Sequence, residues 1–354
     1  MTWSQSWTEF LALTPDLPPW VIATLAIIFL YGVVVVPSAV VFNYLDRKIT
    51  ADIQARVGVN RAGYHGIGQF LADLLKLLEK GITRDRGAPS IPWFSVHTMA
   101  LYSTIAALPI GGGLILLDTD MSALIPVWSC ILLALGTMLL GLDQRTVTGG
   151  FAGLRQAAQA LAGSFPATVA IIAAAIKAGG FQWSAINMSQ GSWPHQWTVF
   201  SDPFSFVAFW VFLAGGLILL SVAPFDSALS PAELAGGVSS GVAGRRLTLF
   251  WFGRFYGFFF WAAMTAVLFL GGWNIPGGVR GLLQELGGPN LVRVAEMACL
   301  VTKSFFVMVS WILVARVIPR LRSDQITGFA WKVLCPASLL ALAGVAIWVT
   351  LGSG

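Results

Sequence analysis

Along its length the chain alternates long apolar stretches with short charged connections. A helix needs about 20 apolar residues to cross the hydrocarbon layer of a bilayer. Stretches of that kind recur at 20–45, 93–117, 121–142, 151–178, 203–223, 247–273, 291–317 and 328–351. This pattern predicts an all-α polytopic membrane protein, a single transmembrane domain over 1–354 with about eight transmembrane helices. Pro37, Pro109, Pro126 and Pro166 fall inside or beside these spans, where they imply kinks or broken turns rather than helix ends. The leader MTWSQSWTEFLALTPDLPP carries Glu9 and Asp16 but no Lys or Arg, so a cleavable signal peptide is not expected there.

The connections are as patterned as the spans. Residues 46–92 are too many for a simple turn. They open with DRKITADIQARVGVNR, in which six of sixteen positions are charged. Further on, Ile67, Phe70, Leu71, Leu74, Leu75 and Leu78 recur at three- and four-residue steps, with Gln69, Asp73, Lys76 and Lys80 on the opposite stripe. That spacing predicts a cytoplasmic amphipathic helix over 67–80, lying along the membrane surface. Periodicity alone is met equally well by a simple interfacial anchor. The connection 224–247, APFDSALSPAELAGGVSSGVAGRR, reads from composition as a flexible linker. ARVIPRLRSDQITGFAWK is a basic run, and positive charge there is an orientation signal.

Counting Lys and Arg gives the sidedness. The connections after spans one, three, five and seven, with the span ends beside them, hold sixteen of the 21. The expected topology therefore places both termini outside and the odd-numbered loops in the cytoplasm of a bacterial inner membrane. A mean hydropathy of +0.77 and a charged fraction of only 10% exclude an ordinary soluble core. The net charge of +5 then needs no nucleic-acid partner, since no loop pairs basic residues with exposed aromatics.

Little in the chain carries chemistry by itself. Cys130, Cys299 and Cys335 lie in apolar segments without metal-ligand spacing and read as buried thiols. His65, His97 and His195 are scattered, and GYHGIG (63–68) has no preceding strand and no following lysine. No catalytic residue and no metal site is expected, so redox chemistry must come from partner subunits or a bound ligand. Arg254, Glu296 and Lys303 stand inside spans, where a charge costs about 2.5–3.5 kcal/mol on insertion scales and usually faces a protein interior or water. Glu296 and Lys303, seven residues apart, are expected to share a polar cavity, unless Glu296 reaches the outer interface.

Several ordered motifs resemble one family, the quinone-site membrane subunit of respiratory complex I, known in bacteria as NuoH. They are Asp46-Arg47-Lys48, RVGVNRAG, ADLLK, the PFD of 224–226, LFLGGW (268–273), Lys303 and PRLRSDQ with Trp331-Lys332, over about residues 20–340. The resemblance implies a subunit that docks the electron-transfer arm and forms the channel through which quinone, its substrate, reaches that arm. It implies iron–sulfur and quinone-site subunits of the hydrophilic arm as partners, which would hold the iron–sulfur clusters, together with antiporter-like and small membrane subunits. It assigns Asp46, Arg47, Arg56, Asn60, Arg61, Asp73, Lys76, Asp226 and Glu233 to the quinone channel or the docking surface. Arg155, Arg254, Glu296 and Lys303 become candidates for a charge relay.

The chain departs from that family in its acids. The positions where the family carries carboxylates read Ser164, Leu229, Pro231 and Gly241, the acid of span six reads Arg254, and only Asp46, Asp226 and Glu233 remain. Closely spaced acids in a low dielectric shift one another's proton affinity, so their loss implies coupling that is weakened or rerouted. Two other readings stay open: the membrane anchor of a hydrogenase-type or ferredoxin-fed complex, and an ion or solute transport component that keeps only the fold.

Overall fold

The computed structural model describes residues 36–81, 93–112, 115–144, 146–229 and 237–352, with isolated positions before 36. All regular structure among them is helical. The principal helices are α1 (Val36–Ile53), α2 (Gln69–Glu79), α3 (Trp93–Ala107), α4 (Ile125–Asp143), α5 (Val147–Ala178), α6 (Pro203–Leu219), α7 (Arg245–Phe269), α8 (Gly277–Val317), α9 (Ser323–Phe329) and α10 (Cys335–Gly352). Five segments are long and apolar enough to cross a membrane: Ser122–Asp143, Val147–Ala178, Arg245–Phe269, Gly288–Val317 and Ser323–Leu351. Pro203–Leu219 is apolar but shorter. α3, at 15 residues, ends ten residues before its expected limit.

Several boundaries differ from the apolar pattern for identifiable reasons. Pro126 stands in the first turn of α4, where its missing N–H is no loss, and Pro109 lies just beyond the end of α3; neither is a kink. Pro166 does sit within α5. α8 begins well before the apolar stretch and breaks at Gly288 (φ 69°), just before Pro289. α9 runs into α10 through a π-turn, Ala330–Leu334.

α7 is the axis of the bundle. Every residue from Tyr256 to Phe269 is buried, with α1 and α8 on one flank and α3, α4 and α6 on the other. Apolar burial gives helices in lipid little reason to associate, because lipid tails are as apolar as leucine. Close packing does that work instead. At the α5–α6 crossing a Cβ on Gly163 would lie 2.7 Å from the Gly215 carbonyl oxygen. At the α6–α7 crossing Gly216 makes room for the Trp261 indole, which stacks on Phe212 at 4.4 Å and donates to the Phe212 carbonyl.

On the side of the bundle away from α2, Asp202 caps α6 by accepting from the Ser205 N–H at 2.6 Å and pairs with Lys177 at the end of α5. Burial pushes the Asp202 carboxyl up, but the Lys177 ammonium and the Ser205 donors outweigh it and hold its pKa below the usual carboxylate value. A lowered folded-state pKa contributes stability that is full above the ordinary carboxylate value and is lost as pH falls through the lowered one.

These packings can be checked by substitution. Gly163→Leu should lower the thermal midpoint of the detergent-solubilised protein, at a cost of about 1–3 kcal/mol, whereas Gly150→Ala, which meets nothing within 4 Å, should not lower it. Asp202→Asn should flatten the acid limb of the midpoint-against-pH curve; an unchanged acid limb would remove the ion pair from the account.

Candidate functional site

A cavity of about 660 Å³ opens where α1, α2, α7, α8 and the segment after α6 meet. Its inner wall is aromatic. Phe42 of α1 meets Phe258 of α7 at 4.5 Å, Phe258 meets Trp311 of α8 at 4.9 Å, and Trp251 stacks on Phe255 along α7. The opposite rim is charged, and each of its carboxylates is held by an arginine. Asp46 pairs with Arg316 at 2.5 Å, Asp73 with Arg47 at 2.7 Å and Asp226 with Arg320 at 3.2 Å.

α2 supplies the mouth. Phe70, Leu74 and Leu77 line the cavity together with Asp73, Lys76 and Lys80, while Ile67, Leu71, Leu75 and Leu78 remain exposed. The amphipathic helix therefore exists, two residues shorter at its start and one at its end than its pattern, but its polar stripe turns inward. The Arg47–Asp73 bond pulls Asp73 toward α1, and the exposed leucines are left as an apolar outer edge.

The segment after α6 is not a flexible linker where the structure describes it. Turns at Ser227–Leu229 and Gly237–Ser239 are buried, with Ala228 and Val238 fully inaccessible. Gln159 donates to the Ser227 hydroxyl and Gln144 to the Val238 carbonyl. The Leu321 N–H donates to the Pro224 carbonyl at 3.1 Å, which brings Arg320 to Asp226. Glu233 lies outside the described residues.

Arg254 of α7 also lines the cavity. It donates to the Ser221 carbonyl at 3.1 Å and its guanidinium stands 5.7 Å over the Trp251 ring. Asp226 and Asp46 are the carboxylates whose charge it feels. Among the described lining residues six are basic and three acidic, so the rim carries net positive charge.

Of the residues proposed from sequence, Asp46, Arg47, Asp73, Lys76, Asp226 and Arg254 converge on this cavity. Arg56, Asn60 and Arg61 lie exposed on the turn beyond α1, with Arg56 donating to Gln54 at 2.8 Å. Arg155 is half-buried on α5 away from the cavity. Glu296 and Lys303 do not share a cavity: Glu296 accepts from the Gly112 N–H at 3.1 Å and pairs with Arg280 at 3.2 Å, while Lys303 donates to the Gly272 carbonyl at 2.9 Å and stands over Trp197. Two turns of helix separate them, and each finds a nearer partner. Arg316 and Arg320, read from sequence only as orientation charges, are the closing partners that sequence reasoning missed. Nothing local in ARVIPR marks them, because their partners lie 270 and 94 residues away in the chain.

Residues 25–346 match the sequence profile of the NADH dehydrogenase family. The chain is 28% identical over 340 residues to the H-type subunit of the NADH-quinone oxidoreductase of Anaeromyxobacter dehalogenans, covering 92% of this chain and 81% of that one. It is 29% identical over 343 residues to the H-type subunit of the F(420)H(2) dehydrogenase of Methanosarcina mazei, covering 92% of each. Among solved structures it superposes on a chain of the membrane-bound sulfane sulfur reductase, an archaeal respiratory membrane complex, with a TM-score of 0.74 at 24% identity. That alignment covers 92% of this chain and 99% of the other.

The cavity rim yields a thermodynamic prediction. Arg320→Ala should destabilise the protein by about 1–3 kcal/mol by leaving the buried Asp226 carboxylate unpaired, and Asp226→Asn in the same chain should recover most of it. Additive losses in that double-mutant cycle would show that the pair is not coupled.

Proposed function

The chain belongs to the NADH dehydrogenase family, and from that premise we propose that it is the membrane subunit of a complex I-like quinone oxidoreductase, docking the electron-transfer arm and forming the quinone access channel. The observation that carries this reading is the cavity itself. It has the volume of an organic-ligand site, an aromatic wall against which a planar ring can stack, and a mouth framed by an apolar helix edge. A lipid-soluble carrier would pass the exposed leucines of α2 and meet the charged rim with its headgroup. In this reading the electrons come from iron–sulfur and quinone-site subunits seated on the loops after α1 and α6. Exposed Arg56, Asn60 and Arg61 belong to that docking surface, Glu233 is assigned to it from the sequence resemblance alone, and paired charges there set orientation more than affinity. Antiporter-like and small membrane subunits would flank the bundle. The Lys and Arg distribution supports a cytoplasmic position for this face, with both termini outside.

Proton coupling in this assembly would be weakened or rerouted. Ser164 donates only to the Leu161 carbonyl, Leu229 offers no proton site, and Arg254 reverses a charge. The electron donor is a property of the partners. The similar identity to subunits named for NADH and for F(420)H(2) supports a second reading, the same channel in a complex fed by another donor.

A photoreactive quinone analogue, added to the native complex, should label peptides from α1, α2 and α7, and excess unlabelled quinone should prevent it. Ala315→Trp, which fills part of the cavity, should raise KM for a long-tailed quinone about tenfold with less effect on kcat. Labelling confined to other subunits, with an unchanged KM, would sink the channel assignment.

A further inference from the structure

The rim of the cavity carries more positive charge than its carboxylates use. Asp46, Asp226 and Asp73 each hold one arginine, and Arg254 donates to the Ser221 carbonyl. Lys76 of α2 and Lys80, which caps that helix, are exposed members of the same rim. Neither ammonium meets a carboxylate among the described residues.

The two lysines stand one helical turn apart, about 6 Å between Cβ atoms, and like charges at that spacing weaken a helix. Little beside them offsets this. Asp73, on the same face, has both oxygens occupied, Oδ2 by Arg47 at 2.7 Å and Oδ1 by Gln69 at 3.0 Å. Glu79 is exposed and pairs with neither lysine in the described structure. The end of the helix dipole supplies about half a negative charge against two full positive ones.

Water alone would serve a lysine pair on a polar surface, but this surface is largely apolar. Leu77 and Leu74 line the cavity, and on α2 they lie between the lysines and the exposed edge of Leu71, Leu75 and Leu78. Across the helix the order is therefore charge, cavity lining and bare apolar edge. A free inorganic anion would use only the first of these, and so would an acidic protein segment. An amphiphile with an anionic head uses all three. The bilayer on which an apolar helix edge rests supplies such molecules.

We propose that Lys76 and Lys80 bind the phosphate of an anionic phospholipid at the mouth of the cavity, with an acyl chain laid over Leu77 and Leu74 toward the apolar edge of α2. Both ammonium groups give charge-assisted hydrogen bonds to the phosphate oxygens. Attraction of a basic residue at a bilayer surface to anionic lipid corresponds to about fivefold in affinity for each lysine. The pair is exposed, so salt screens it. A lipid held there becomes part of the mouth, whatever else passes through it. The site requires α2 to lie at the membrane surface and does not require the quinone reading above.

The test places the native complex, without quinone, in phosphatidylcholine nanodiscs doped with phosphatidylglycerol or phosphatidylcholine bearing a photoreactive acyl chain. Labelled peptides are read by mass spectrometry, with α10, where Leu340 is 70% exposed, as the reference for ordinary lipid contact. Relative to α10, α2 should take about 25-fold more label from phosphatidylglycerol at low salt. That preference should fall about fivefold in each of Lys76→Gln and Lys80→Gln, persist in Lys76→Arg and resist added inorganic phosphate. Equal labelling by the two lipids, or a preference that survives replacement of both lysines by Gln, overturns the proposal. A preference abolished by inorganic phosphate also overturns it, since the ligand is then a free anion. So does an unlabelled α2 whose lysines a carbodiimide joins to carboxylates of a partner, which assigns the surface to protein. No quinone enters the assay, so the channel reading stands or falls separately.

Discussion

In surroundings this apolar a charge must be met by an opposite charge or a backbone dipole, and that constraint organises the cavity face of the molecule. Asp46, within α1, is met by Arg316 from α8. Asp226, after α6, is met by Arg320 from the connection following α8. These two bonds tie the early, middle and late parts of the chain around one opening. Arg47 then draws α2 across the mouth through Asp73. Without these closures the helices would still be apolar enough for a bilayer, but nothing would hold them apart at a fixed distance. The opening is the space that the ion pairs and the aromatic wall keep.

The membrane-embedded part obeys a different logic. From Tyr256 to Phe269 α7 is buried on all sides, and its neighbours approach it through glycine and aromatic contacts rather than through any gain from leaving water. That makes the bundle intolerant of added atoms at a few crossings and indifferent elsewhere. It also explains why so polar a residue as Arg254 can stand deep on α7. The helix above it is anchored by stacked rings, and the guanidinium has a carbonyl, an indole face and the cavity to turn to. Arg254 therefore has a structural home, in a cavity whose rim is positive.

Much of this was legible in the residues. The apolar stretches located the long helices, the stepping of leucines located α2, and ordered motifs singled out Asp46, Asp73 and Asp226, which line the cavity. The errors have physical causes. Composition called 224–247 a linker because Gly, Ser and Ala offer little side chain to pack, yet their small size is also what permits a turn to be buried, as Ala228 is. Periodicity gave α2 a polar stripe but carries no information about what that stripe will face. Spacing placed Glu296 and Lys303 together on one helix, while each was satisfied by backbone from another segment.

Sequence by itself determined the solvent of this protein, its helical class and the family whose motifs it carries, because hydropathy and local spacing are properties of neighbouring residues. Only the tertiary structure decided which arginine closes which carboxylate and that α2 turns its charges inward. Those outcomes depend on residues far apart in the chain meeting at fixed distances. Such meetings are set by helix crossings and close packing, which no single segment specifies.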